Sequence, residues 1–214
     1  FLSSDQQLNP HWTGEDHIRL AAAIKGSRKR VGELTKLLGY NPKLRVKALS
    51  TGNKQKLAII LAFLGESELL IMDEPTRGLD PMLQNVLYDL LRDYTKSGKT
   101  VFFSSHNLNE VQSLCDGVAF IKDGKILTQK SMYDIRAMNI HIITAAATSP
   151  FNTNELKAAG AKLIHHKDNT VSLKVKGDFN KVLRAVTRYE LTDLDMTHAN
   201  LEDIFLEQYK GEKV

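Results

Sequence analysis

Two adjacent carboxylates, Asp73 and Glu74, close the apolar run Leu69-Leu70-Ile71-Met72 and are followed at once by Pro75. Four apolar residues are too few for a stable isolated helix, and a short run stopped by acids and a proline reads as a buried parallel strand. Its acids then sit at the strand's carboxyl end. Open α/β sheets bind ligands at that edge, so Asp73 could hold a metal ion while Glu74 acts on a water molecule. A second strand, Thr100-Val101-Phe102-Phe103-Ser104, runs into Ser105-His106, and a strand–helix–strand unit would lay it beside the first with the imidazole near Glu74. The third group opens a helix: Leu49-Ser50-Thr51-Gly52-Asn53 precedes the helical run from Ala58 to Leu64. Ser50 is a good N-cap and Gly52 leaves the first-turn amides uncovered, which makes an anion site. Each group alone has an ordinary alternative, respectively a solvated acidic turn, a structural histidine and a plain capped helix.

The elements that must position these groups follow from local patterns. Residues 1 to 13 read as a polar loop with Trp12 as an aromatic anchor. Thr13 and Asp16 form an approximate capping box for a helix whose apolar face is Ile18, Leu20, Ala21 and Ile24, ending near Gly26. Lys25, Arg28, Lys29 and Arg30 make a basic cluster that reads first as a solvated helix end. Val31, Leu34, Leu37 and Leu38 give a second short helix closed by Gly39. After the acids, Gly78 permits a tight turn, and Pro81 suits the first position of a helix with Leu83, Val86, Leu87, Leu90 and Leu91 inward. Gly98-Lys99-Thr100 imitates the end of a phosphate-binding loop. It fails because Asp93 stands where that motif needs glycine and because Thr100 opens a strand, not a helix.

Residues 107 to 115 form a helix, Lys122-Asp123-Gly124 is a hairpin turn, and 131 to 138 form a further short helix. Beyond Asn139 no acid-tipped strand or glycine-rich turn recurs. The pattern there predicts strand 140–146, helix 153–159, strands 161–166 and 170–175, helix 178–188, strand 191–197 and helix 201–209, the order of a ferredoxin-like split βαβ. His165 and His166 are adjacent on a strand and so point to opposite faces, a poor chelating pair.

With 42% hydrophobic and 25% charged residues, the 214-residue chain has an ordinary globular composition and enough apolar residues to bury a core. A net charge of +4 suits an anionic ligand or surface but does not by itself imply nucleic acid. Cys115 is the only cysteine, which excludes an internal disulfide framework and fits a reducing compartment. No apolar run approaches the roughly 18 residues that span a bilayer, so any membrane role needs a partner to do the spanning. The opening Phe1-Leu2-Ser3-Ser4 lacks an initiator methionine and a signal-peptide pattern, and a further N-terminal part is expected.

Taken together and in order, Leu49-Ser50-Thr51-Gly52-Asn53, the strand into Asp73-Glu74-Pro75, Gly78-Leu79-Asp80-Pro81 and Ser105-His106 resemble the ATPase subunit of ABC transporters. The resemblance covers residues 1 to about 135. It implies a P-loop NTPase core of ABC type, with part of the parallel sheet and a helical subdomain, followed by a C-terminal ferredoxin-like α+β accessory domain. The expected bounds are 1–138 for the ATPase part (helical subdomain about 13–66, Walker B to switch region 67–138) and 139–214 for the accessory domain.

In this resemblance, residues 69 to 74 look like Walker B with Asp73 on Mg²⁺ and Glu74 as the catalytic carboxylate, and His106 like the switch histidine. Residues 78 to 81 look like the D-loop, which would place Asp80 at a dimer seam. Ser50, Thr51, Gly52 and Asn53 look like the signature motif, with Thr51 in place of a glycine and Asn53 in place of glutamine. Ser4 stands where the Q-loop glutamine aligns, with Gln6 and Gln7 just beyond, and the Walker A loop, which the family carries upstream, has no counterpart here. The implied cofactors are ATP and Mg²⁺, and the implied partners a membrane permease and a second ATPase subunit, at the cytoplasmic face of the membrane. Export is favoured over import, and nucleic acid is not expected. The rival readings are a soluble ABC ATPase acting on nucleic acid or ribosomes, and a non-catalytic regulatory module.

Overall fold

The computed structural model describes residues 1–65 and 67–201, which form an α/β protein of two compact units, Phe1–His106 and Asn107–Val214. The expected helix 201–209 falls outside the described residues, apart from its first position.

In the first unit, helix α1 (Gly14–Lys25) begins with the expected capping box, in which Thr13 and Asp16 satisfy each other's backbone amides. Its buried stripe is Gly14, Ile18 and Ala22, a spacing of four. Leu20 and Ile24 therefore turn outward, the latter 76% exposed, which corrects the apolar face expected from the sequence. Helix α2 (Val31–Leu37) is short, and Gly39 follows it with φ +56, the left-handed conformation that ends helices. Helix α3 (Thr51–Phe63) is the centre of this unit. Leu57, Ile59, Ile60 and Phe63 are fully buried, each worth about 1.5–3 kcal/mol relative to exposure.

Three cations of the basic cluster are paired within the first unit. Lys25 Nζ donates to the carbonyls of Leu61 and Ala62 at the end of α3, Arg28 pairs with Glu15, and Arg30 with Glu33. Of these, the Lys25 contact is the ordinary use of a cation at a helix C-terminus.

Strand β1 (Leu69–Asp73), helix α4 (Pro81–Lys96) and strand β2 (Thr100–Ser104) make the expected crossover, with the strands parallel and Asp73 opposite Ser104. Tyr94 of α4 meets Phe63 edge to face at 5.6 Å and donates its hydroxyl proton to the Ser67 carbonyl, which ties α4 to the end of α3. Gly98 turns with φ +82 into β2 and Lys99 lies over the Tyr94 ring, so Gly98-Lys99-Thr100 is a helix-to-strand turn as expected. The first residues are not merely loop: Leu2 is buried and pairs in parallel with Met72, donating to the Ile71 carbonyl and accepting from the Asp73 amide.

The second unit contains helix α5 (Leu108–Leu114), the hairpin of β3 (Gly117–Lys122) and β4 (Lys125–Ser131), and helix α6 (Met132–Ala137). Asp123 and Gly124 both have positive φ, the conformation a two-residue hairpin needs. Then come β5 (Ile140–Ala147), α7 (Thr153–Ala158), β6 (Lys162–Lys167), β7 (Thr170–Lys176), α8 (Asn180–Val186) and β8 (Leu191–His198). The antiparallel sheet runs β6-β7-β5-β8, the split βαβ order. Its covered face carries Ile143, Ala145, Val171, Leu173 and Val175 against Leu156 of α7 and Val182 and Val186 of α8. His165 and His166 lie on the exposed β6, and among the described residues no group of three potential metal ligands includes them.

His141 sits on the same face as Ile143, 4.4 Å from the His198 ring and 4.7 Å from Phe179. Burial, and next the His198 ring, hold its imidazole below the usual histidine value. The unfolded chain therefore binds a proton more readily, so stability is fully present above about pH 6.5 and declines as pH falls through that value. Thermal melting near neutrality and near pH 5 is expected to show this decline in the parent and a smaller one in His141→Phe. Equal acid sensitivity in both would contradict it.

Candidate functional site

Three segments converge on Asp73. Parallel pairing with β2 sets Ser104 beside it, and the Leu2 pairing on the other side of β1 brings up Ser4. The Ser104 hydroxyl donates to one carboxylate oxygen and the Ser4 hydroxyl to the other, each at 2.5 Å. These two bonds, Ser104's first, with the Arg77 cation adding to them, hold the Asp73 carboxyl below its ordinary value. The depressed acid contributes stability that is present above about pH 3.9 and lost as pH falls through the folded value. Ser104→Ala is expected to raise the Asp73 carboxyl titration midpoint, read by carbon NMR of the side chain. An unchanged midpoint would show that Ser104 does not govern it.

Glu74 follows with φ +46, a conformation uncommon for a residue bearing a Cβ. Its amide donates to Ser104 Oγ at 3.1 Å, and its carbonyl accepts from the Arg77 amide. One serine thus orients both acids. The kink turns the Glu74 carboxylate toward His106, whose Nδ1–H donates to Oε2 at 2.8 Å. The carboxylate is 24% exposed and the imidazole 85%, so the pair opens to solvent, where a water molecule and a charged substrate could reach it. A carboxylate held by an imidazole beside a second carboxylate has the parts for metal-assisted hydrolysis.

The donors around Asp73 are one carboxylate and two hydroxyls, all hard oxygen. That set fits Mg²⁺, which usually takes one or two carboxylates and draws its other ligands from water and substrate phosphates.

The start of α3 forms the second part of the site. Ser50 caps the helix by accepting from the Asn53 amide at 3.3 Å. A Cβ on Gly52 would stand 2.8 Å from the Gly78 carbonyl oxygen, and the Thr51 methyl approaches the Cβ position of Gly78 to 3.3 Å. Thr51 and Gly52 therefore lie directly on the turn at Gly78, whose φ is +76. Asp80 accepts from the Leu83 amide at 3.0 Å and caps α4. The structure thus groups Asp73, Glu74 and His106 at the strand ends, and sets Thr51 and Gly52 on the 74–80 connection.

Sequence reasoning did not single out Ser104 or Gln55, and it weighed Ser4 only by its alignment. Ser104 was legible as the last residue of β2, opposite Asp73 in a parallel pair. Gln55, a polar residue among the apolar positions of α3, is 4% exposed and donates to the Pro75 carbonyl at 2.8 Å.

A family model described as "AAA domain, putative AbiEii toxin, Type IV TA system" matches residues 16–112. An uncharacterized ABC transporter ATP-binding protein of Alkalihalophilus pseudofirmus is 28% identical over 225 residues, which cover 97% of this chain and 82% of that protein. A solved structure described as the ATP binding subunit of an ABC transporter is 30% identical with a TM-score of 0.57, over 64% of this chain and 61% of its own. A post-hydrolysis dimer of an ATP-binding cassette, bound to ADP and Pi, is 22% identical with a TM-score of 0.54, over 61% of this chain and 62% of that one, and shows likeness of fold alone.

Proposed function

We propose that the chain, which is similar to ATP-binding subunits of ABC transporters, supplies the hydrolytic groups and one signature face of an ATPase that drives a membrane permease, in the direction of export. The observation that carries this reading is the Glu74–His106 pair at the carboxyl ends of two parallel strands, one residue from the hydroxyl-held Asp73. Glu74 holds and polarises the attacking water, and the His106 hydrogen bond fixes the carboxylate while the imidazole reaches the γ-phosphate. Asp73 would hold Mg²⁺, which when bound neutralises charge on the β- and γ-phosphates.

Ser50 and Gly52, with Thr51 and Asn53, present a hydroxyl and helix-start amides to the γ-phosphate of ATP held by a second ATPase subunit. Asp80, on the same connection as Gly78, lies at the seam of that dimer. The chain spans about three fifths of the solved chains it matches. The work is assigned to a complex with the permease, and the location to the cytoplasmic membrane face.

Ser50→Arg tests the sandwich in ATPase subunits free of the permease. A bulky cation at the cap is expected to abolish ATP-dependent dimerisation of the ATPase subunits, measured by size-exclusion chromatography with light scattering, while the variant stays folded by circular dichroism. Dimerisation at the parental ATP concentration would remove Ser50 from the seam.

A further inference from the structure

Two glutamine side chains close a ring around the acidic turn. Gln6 Nε2 donates to Gln55 Oε1, and Gln55 Nε2 donates to the Pro75 carbonyl at 2.8 Å. From Pro75 the backbone leads through Glu74 to Asp73, which accepts from Ser4, and from Ser4 it returns through Asp5 to Gln6. The N-terminal segment, α3 and the acids are thus joined in one loop of covalent and hydrogen bonds. Gln55 is the buried member on which it turns. Both ends of its amide are satisfied inside the protein, and it stands on the helix whose first turn carries Ser50 and Gly52.

The helix therefore meets the 74–80 connection at two places: the Gly52 backbone passes close to the Gly78 carbonyl, and Gln55 donates to the Pro75 carbonyl. A carbonyl buried in this way keeps its place only while its donor does, because leaving it unpaired is costly. Glu74 needs such support: its φ of +46 is held by the Ser104 hydroxyl on its amide side and by the Arg77 amide on its carbonyl. We propose that Gln55 is a positioning residue that carries displacements of the α3 start, and through Gln6 those of the N-terminal segment, to the Glu74 carboxylate. Engagement of Ser50 and Gly52 by phosphate then sets the geometry of Glu74 through this side-chain link. The inference rests on the ATPase reading for its functional consequence, and on the hydrogen-bond ring alone for the link itself.

The test uses Gln55→Met, which keeps length and fills the space but removes both amide bonds, and Gln55→Glu, which keeps the acceptor and removes the donor to Pro75. In the 214-residue chain, both are expected to move the Nδ1 nitrogen resonance of His106, the direct partner of Glu74, although residue 55 does not touch the imidazole. In the assembled transporter, both are expected to lower kcat for ATP roughly tenfold with KM unchanged, at the low end of what misplacing a catalytic group costs. Gln6→Ala is expected to add less than its separate effect in the Gln55→Met background, as members of one network do.

An unmoved His106 resonance in folded Gln55→Met overturns the link. So does a variant whose melting temperature falls while kcat holds, since that is the signature of a merely structural amide. Glu74→Gln is the control that separates the two ideas. If that substitution also leaves turnover intact, the ATPase assignment of Glu74 fails, and the His106 resonance alone decides whether Gln55 positions the turn.

Discussion

Glu74→Gln is expected to lower ATP turnover by at least roughly a hundredfold while nucleotide binding persists, the scale of losing a positioned general base. The expectation follows from the geometry of the pair. The carboxylate accepts from His106 Nδ1–H at 2.8 Å and is anchored through its own amide on Ser104 Oγ, so its orientation is set before substrate arrives. An amide of the same shape keeps an oxygen in place but cannot take a proton from the attacking water. A hundredfold corresponds to about 2.7 kcal/mol of barrier. Phosphate release and nucleotide affinity, both measured in the assembled transporter, check the two halves of the statement. Release at the parental rate would remove Glu74 from the chemistry. His106→Ala is expected to lower turnover less, because the Glu74 carboxylate remains and its amide is still held by Ser104 Oγ.

Gly52→Ala is expected to destabilise the first unit by about 1–2 kcal/mol, through overpacking rather than loss of any contact. The new methyl would lie 2.8 Å from the Gly78 carbonyl oxygen. That oxygen is backbone, within a turn whose φ of +76 leaves it little freedom to withdraw. The same change at Gly32 supplies the contrast. A Cβ there meets nothing within 4 Å, inside the short helix α2, so Gly32→Ala is expected to stabilise by up to about 1 kcal/mol through helix propensity. Urea unfolding of the two variants should therefore shift in opposite directions. A Gly52→Ala midpoint at or above the parent would show that the α3 start yields easily.

How far the sequence reached depended on the range of the interaction. The capping box at Thr13 and Asp16, the turn at Asp123-Gly124 and the Ser50 cap are decided by residues two or three apart, and all three formed as expected. The acid-tipped strand and its parallel neighbour were legible from short apolar runs joined by a crossover helix, which leaves little choice of neighbour, but the expected burial holds only for Leu70 and Met72, since Leu69, Ile71 and Phe102 are exposed. The exposure of Leu20 and Ile24 was not legible. Apolar residues occur on more than one side of α1, and only packing selects the Ile18–Ala22 stripe. Gln55 and Ser104 escaped notice for a different reason: a glutamine within a helix and a serine at a strand end are unremarkable until residues 20 and 31 positions away arrive as their partners.

The pairing of Leu2 with β1 makes the Asp73 amide a reporter of local opening. That amide is sealed by the Leu2 carbonyl, not by β2, and the seal is one of only two backbone hydrogen bonds that Leu2 makes to the strand. So brief a pairing is expected to open more often than the core of α3 unfolds, and amide protons exchange with solvent through such openings. Exchange at Asp73 therefore measures how often the N-terminal segment lifts away, and each lifting also withdraws Ser4 from the carboxylate. Asp73 and Glu74 thus sit beside an edge whose opening such exchange would report. The fraction of time they are fully assembled is a local equilibrium, adjustable by anything that tightens or slackens the first few residues without altering the stability of the fold.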